Sequence, residues 1–212
     1  MLFSLFSNPI SFFIYLISLF IALSVHEASH ALAADKLGDP TPRLDGRITL
    51  NPLAHIDLSG LLFMLFFGFG WGKPVQFDPY NLKNPRKDAA LISLAGPASN
   101  IVFALCLSLI LRSFNLVGLH QIYTIGFTLL TPLIAVNLTL GIFNLLPIHP
   151  LDGFKIVGGI LSPDQAHEWF QLQRYGMIFL LLLIIPLGAH SMLDTVMGPV
   201  QQFILPLFIP SF

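Results

Sequence analysis

From Ile10 to Val25 every residue is apolar, serine or tyrosine, and the run passes directly into His26-Glu27-Ala28-Ser29-His30. No other feature constrains the chain so strongly. Asn8-Pro9 precedes the run, a helix-capping residue followed by proline at the first helical position. Gly38 supplies a stop. One helix from Pro9 to Leu37 is therefore predicted. At about 1.5 Å per residue, its roughly 28 residues reach some 40 Å, enough to cross a bilayer. The two histidines, four apart, fall on one face of that helix and can share a metal ion. The same rise puts His26 about 15 Å from the Leu37 end, inside a membrane and nearer one surface.

Composition agrees with a membrane setting. The chain of 212 residues is 55% hydrophobic and 10% charged, whereas soluble domains carry about a quarter charged residues. Its length fits a single membrane-embedded domain, 1–212. A net charge of −1 offers no basic surface, which argues against nucleic acid as a partner. Cys106 is the only cysteine, so neither an internal disulfide nor a thiolate metal cluster can form. The first basic residue is Lys36, so the amino-terminal run lacks the basic start of a cleaved signal peptide and is expected to stay as an anchor.

Further along, Asp45-Gly46 between Leu44 and Arg47-Ile48-Thr49-Leu50 is a hairpin signal. Residues 58–70 are apolar but short of the roughly 20 needed to span. Asp88 is a candidate cap for a helix running to about Leu111. Another helix is expected from about Ile122 to Leu146, bent at Pro132. Pro147-Ile148-His149-Pro150-Leu151-Asp152-Gly153 cannot continue a straight helix. A further apolar segment begins at Met177, and a last one, 192–212, contains Pro199, Pro206 and Pro210.

Basic residues orient this pattern. Lys36, Arg43 and Arg47 lie before 58–70, and Lys73, Lys83, Arg86 and Lys87 after it. The excess of Lys and Arg in cytoplasmic loops places both flanks on that side and makes 58–70 a re-entrant or surface-lying segment. Lys155 and Arg174 then also fall inside, leaving Arg112 alone, of ten basic residues, outside. The fold class expected is an all-α polytopic membrane protein of about 4–6 transmembrane helices, with a small β-hairpin and re-entrant element on the cytoplasmic side. The expected location is the cell membrane, with the histidine pair nearer its cytoplasmic face.

HExxH on a helix is the signature of a zinc peptidase whose glutamate is the general base. Glu27 is one of only two glutamates in the chain, and a charge at membrane depth is costly unless it has partners or a function. A catalytic zinc takes three protein ligands and keeps one position open. The third ligand must come from elsewhere: Asp152, in the proline-rich break, or Glu168, the remaining glutamate. Two histidines and a carboxylate favour zinc among divalent metals.

Asn144-Leu145-Leu146-Pro147-Ile148-His149-Pro150-Leu151-Asp152-Gly153 resembles the NxxPxxxxDG motif of the site-2 protease family of intramembrane metalloproteases. Gly96-Pro97-Ala98-Ser99-Asn100 is similar to its GPxxN motif. Gly46 to Asp57 and Gly72-Lys73-Pro74-Val75 look like the compact bacterial and archaeal branch, without a PDZ or CBS domain. The resemblance implies that Asp152 joins His26 and His30 around one Zn²⁺ per chain. It implies an endopeptidase that cleaves transmembrane substrates in or near the bilayer. Glu27 would take a proton from the attacking water and pass it to the leaving amine.

Asn144 or Asn137, seven apart on one face, could steady the oxyanion. Asn137 and Asn100 could equally serve as interhelical hydrogen-bonding residues. His55 could approach the site or make a structural hydrogen bond, and the role of His149 is open. His120, His167 and His190 read as loop or interface residues. The 44–50 hairpin could clamp an unwound substrate along its edge. Competing readings are a catalytically idle membrane protein that binds a partner or metal, which leaves Glu27 unexplained, and a metal transporter, for which the last helices are too apolar.

Overall fold

The computed structural model describes residues 2–67, 70–185 and 191–210. Among these it is helical, with no strand, and an isolated antiparallel bridge joins Ile56 and Gly72. A short helix α1 (Leu2–Ser7) leads into α2 (Pro9–Leu37). The signals at the ends of α2 act as the sequence suggests. The Asn8 side chain accepts from the Ser11 amide at 3.1 Å. Gly38 closes the helix in the left-handed conformation, φ 112°, where a β-carbon would be strained.

Two more helices are long and apolar enough to cross a membrane, α5 (Pro85–Leu116) and α6 (His120–Asn144). In α5 the cap residue is Asn84. Asp88 lies one turn inside and accepts the Asn84 amide at 2.8 Å. The helix continues past Leu111 because Arg112–Leu116 meets no breaker before Gly118. α6 continues through Pro132 and ends at Asn144, two residues before the expected Leu146. Helix α5 is central, packing on α2, α6 and α7 (Asp152–Ile160). Ala104, Leu107 and Leu111 of α5 bury against Tyr123, Ile134 and Leu138 of α6, with Ile21 of α2 alongside. Gly141 allows this approach: a β-carbon there would stand 3.0 Å from the Pro97 carbonyl.

The polar 163–174 stretch holds α8 (Pro163–Gln171), which starts with a Ser162–Gln165 capping box. Then come α9 (Gln173–Ile184) and α10 (Met192–Phe208). These last two have 12 and 17 residues, so three helices reach membrane-spanning length among the described residues. His190, expected as a loop or interface residue, and Gly68 lie outside the described residues.

The expected hairpin over 44–50 does not form. Instead Thr41–Leu44 makes a helical turn, α3. Its backbone donors go to helical and capping bonds, Asp45 N to Thr41 O and Arg47 N to Pro42 O, both within 3.0 Å. Gly46 turns the chain out at φ 66°. The Asp-Gly turn is real, but Pro40, Pro42 and the Asp39 cap below them commit the preceding residues to a helix end, leaving no strand for residues 47–50 to pair with. The short apolar segment becomes α4 (Leu58–Phe67). Its chain returns to where it left: Ile56 bridges Gly72, Phe63 and Trp71 rings lie 5.3 Å apart, and a β-carbon on Gly60 would strike the Trp71 carbonyl.

Candidate active site

His26 and His30 project from one face of α2, and Asp152 is the first residue of α7. The structure brings the three together. His26 Nε2 and His30 Nε2 are 3.0 Å apart, and each lies close to Asp152 Oδ2, at 3.1 Å and 3.2 Å. Gly153 makes this placement possible: a β-carbon there would lie 2.2 Å and 2.4 Å from the Leu145 and Leu146 carbonyl oxygens. The start of α7 is folded tightly back on the end of α6, and the Asp-Gly pair supplies a ligand-type side chain with no bulk behind it.

The protonation of both rings follows from their other nitrogens. His30 Nδ1 lies 2.7 Å from the Ile92 carbonyl, which can only accept. His26 Nδ1 lies 2.7 Å from Asn100 Oδ1. The Asn100 amide cannot be flipped, because its Nδ2 donates to Ala22 O at 2.9 Å and to Asn137 Oδ1 at 2.7 Å. Asn137 is fixed in turn, its Nδ2 donating to Leu133 O at 2.8 Å. Each ring therefore carries a proton on Nδ1, and in its neutral form turns an Nε2 lone pair inward. With both rings neutral, two lone pairs and a carboxylate oxygen converge within about 3 Å, an arrangement that suits a cation. A tetrahedral zinc with bonds of about 2.0–2.1 Å has ligand–ligand edges of roughly 3.3–3.4 Å. The three observed separations of 3.0–3.2 Å lie a few tenths below that, and the donor set suits zinc.

Helix α5 forms the wall behind the histidines, and its Gly96-Pro97 pair explains how it comes so close. A β-carbon on Gly96 would stand 2.4 Å from His30 Nε2 and 2.8 Å from His26 Cε1. Pro97 has no amide to give the Ser93 carbonyl, one residue after the Ile92 carbonyl that receives His30.

Glu27, 8% exposed, turns toward the segment after α4. Its Oε2 accepts the Val75 backbone N–H at 2.9 Å, and Oε1 carries no hydrogen bond among the described residues. The other candidates divide. Asn100 and Asn137 are fully buried and form the relay behind His26. Asn144 is half-buried and donates to Leu140 O of its own helix at 3.0 Å. His55 is fully buried but bonds Thr49 O through Nε2 at 2.7 Å, within its own loop. His149 packs on Phe154, rings 5.6 Å apart, and on Gly176. Glu168 is exposed on α8, outside the cluster. Val75 and the Ile92 carbonyl escaped sequence reasoning, because they act through backbone atoms that no residue type announces.

Comparison with known proteins gives the chain its relatives. Residues 119–185 match the model of Peptidase family M50. YwhC of Bacillus subtilis, named as a zinc metalloprotease, is 36% identical over 216 residues, covering 96% of this chain and 95% of its own. The chain belongs to peptidase family M50. As an M50 protein it is a zinc metalloprotease of the site-2 protease family, and its apolar helices make it an integral membrane protein. Rip2 of Mycobacterium tuberculosis is 31% identical over 78% of this chain and 64% of its own, and MJ0392 of Methanocaldococcus jannaschii 26% identical over 77% of this chain and 39% of its own. Both also bear zinc metalloprotease names. No solved structure matches this M50 chain significantly.

Proposed function

We propose that this M50 protease is an intramembrane endopeptidase that cleaves transmembrane proteins within or near the bilayer. In this reading His26, His30 and Asp152 hold one Zn²⁺ and Glu27 is the general base. One observation carries the reading: three ligand-type atoms, two from α2 and one from α7, meet within 3.2 Å, and α2 is long enough to span a membrane.

Zinc, when bound there, supplies the positive charge that acidifies a water and polarises a peptide carbonyl. The remaining work belongs to the chain. Glu27 takes the proton of the attacking water and delivers it to the amine that leaves when the C–N bond breaks. Asn100 and Ile92 hold the two imidazoles with their Nε2 atoms turned to the ion. Asn144 is the better placed of the two oxyanion candidates, since Asn137 has both ends of its amide bonded to protein. A substrate helix must unwind before cleavage, because its scissile amide is otherwise hydrogen-bonded and shielded.

The protein forms one domain in the cell membrane, with nine of its ten basic residues on the cytoplasmic side. The Ile56–Gly72 bridge supports this, since it returns both ends of the α4 excursion to one level. α10 packs on this bundle through Gln201 to Thr139 and through the Phe208 and Leu207 carbonyls to Ser108 and Arg112. The test is proteomics of truncated membrane proteins in cells carrying wild type or Glu27→Gln. The truncated products should vanish in Glu27→Gln while the purified variant keeps its zinc. Products that persist would overturn the reading.

A further inference from the structure

Residues 72–78 form a strap along α2, without helix or strand of their own, and pinned at both ends. At the start, a β-carbon on Gly72 would stand 2.8 Å from Leu23 of α2. The Lys73 amide donates to His55 O at 2.8 Å. The buried Arg47 guanidinium donates to both the Ala54 and Lys73 carbonyls. At the far end the Asp78 amide donates to the fully buried Asp39 carboxylate at 2.8 Å. Between the pins, Phe77 lies 5.2 Å beneath the Lys155 ammonium of α7, the helix that carries Asp152. Gly72 meets α2 at Leu23, and the Val75 N–H meets Glu27, four residues on along the same face.

The structure assigns the Val75 backbone amide to positioning the general base: it holds Glu27 by Oε2 and leaves Oε1, which has no hydrogen bond among the described residues, to take the water's proton. This rests on Glu27 being the base. A buried carboxylate with no fixed donor would sample several rotamers, whereas a charge-assisted hydrogen bond from a pinned backbone selects one. Pro74 just before Val75 sharpens the device, since it offers no competing N–H and fixes its own φ. The Val75 side chain has no part in the bond, so the role belongs to the amide alone.

The test separates the amide from the side chain. Val75→Pro removes the N–H. Replacing Val75 with its α-hydroxy acid analogue puts an ester oxygen there without changing the side chain, and decides the matter if the proline variant fails to fold. Val75→Ala keeps the amide, and Gln76→Pro adds a neighbouring proline while leaving the Val75 N–H intact. Loss of the amide should lower kcat by about tenfold or more, in the range of outer-contact losses at metal sites, with KM and zinc content unchanged. Val75→Ala and Gln76→Pro should stay near wild type. A full kcat in the ester variant, or an equal fall in Val75→Ala, would overturn the assignment. Activity retained by Glu27→Gln would instead remove the reading beneath it, so the two failures are distinguishable.

Discussion

Gly96 stands so close to His30 that a single added methyl group would meet the imidazole Nε2 at 2.4 Å. The atom it would strike is the one that faces Asp152 in the proposed metal site. Gly96→Ala should therefore spare α5, since alanine favours a helix over glycine, but push His30 off its place. Zinc affinity should fall about 10–100-fold, read by competition with a chelator. Undiminished affinity would show that α5 can move away at little cost.

The Asn137–Asn100–His26 chain makes a second expectation. Asn100→Ala leaves the His26 Nδ1–H without its acceptor and frees the ring to change tautomer. Zinc affinity should drop about 10–100-fold. Asn137→Ala should lower it less, because Asn100 keeps Ala22 O as a guide. Equal affinities for wild type and Asn100→Ala would separate the relay from the metal.

Asp39 gives a pH dependence outside the membrane-spanning helices. Burial would raise its carboxyl, but donors from Thr41, Asn81 and the Asp78 amide outweigh burial and hold it below the usual carboxylate range. Because the folded value is depressed, its stabilising contribution is complete above the unfolded value of about 3.9 and is lost as pH falls through the folded one. Asp39→Asn should unfold at a lower temperature than wild type at pH 7. The gap should narrow as pH drops below about 4. A gap constant with pH would contradict the assignment.

The topology is testable by labelling. In a Cys106→Ser background, cysteine placed at Asp45 or Tyr80 should react from the cytoplasmic side and cysteine at Asn115 from the other. All three positions are exposed on the protein surface. Labelling of 45 and 80 from opposite faces would contradict the one-sided charge pattern.

What was legible in the sequence was local or periodic. Asn8-Pro9 and Gly38 mark the ends of α2 because capping is decided within one turn. The histidine spacing is legible because four residues return to one helix face. The 44–50 segment departs from its hairpin signal because Asp-Gly makes a hairpin only when both flanks are free to pair. Here Pro40, Pro42 and Asp39 had already committed one flank to a helical turn. The clearance at Gly96 and the Val75 amide were hidden for another reason: each depends on which element crosses which. Gly96-Pro97 is visible as a motif, yet only the crossing of α5 over α2 shows that its missing β-carbon makes room for two imidazoles.

The central claim, that α2 and the start of α7 hold the metal, is tested most directly by the zinc content of purified Asp152→Ala and Glu168→Ala beside wild type. Wild type and Glu168→Ala should each carry one zinc per chain, and Asp152→Ala should carry almost none. Full zinc in Asp152→Ala, with loss in Glu168→Ala, would contradict the account.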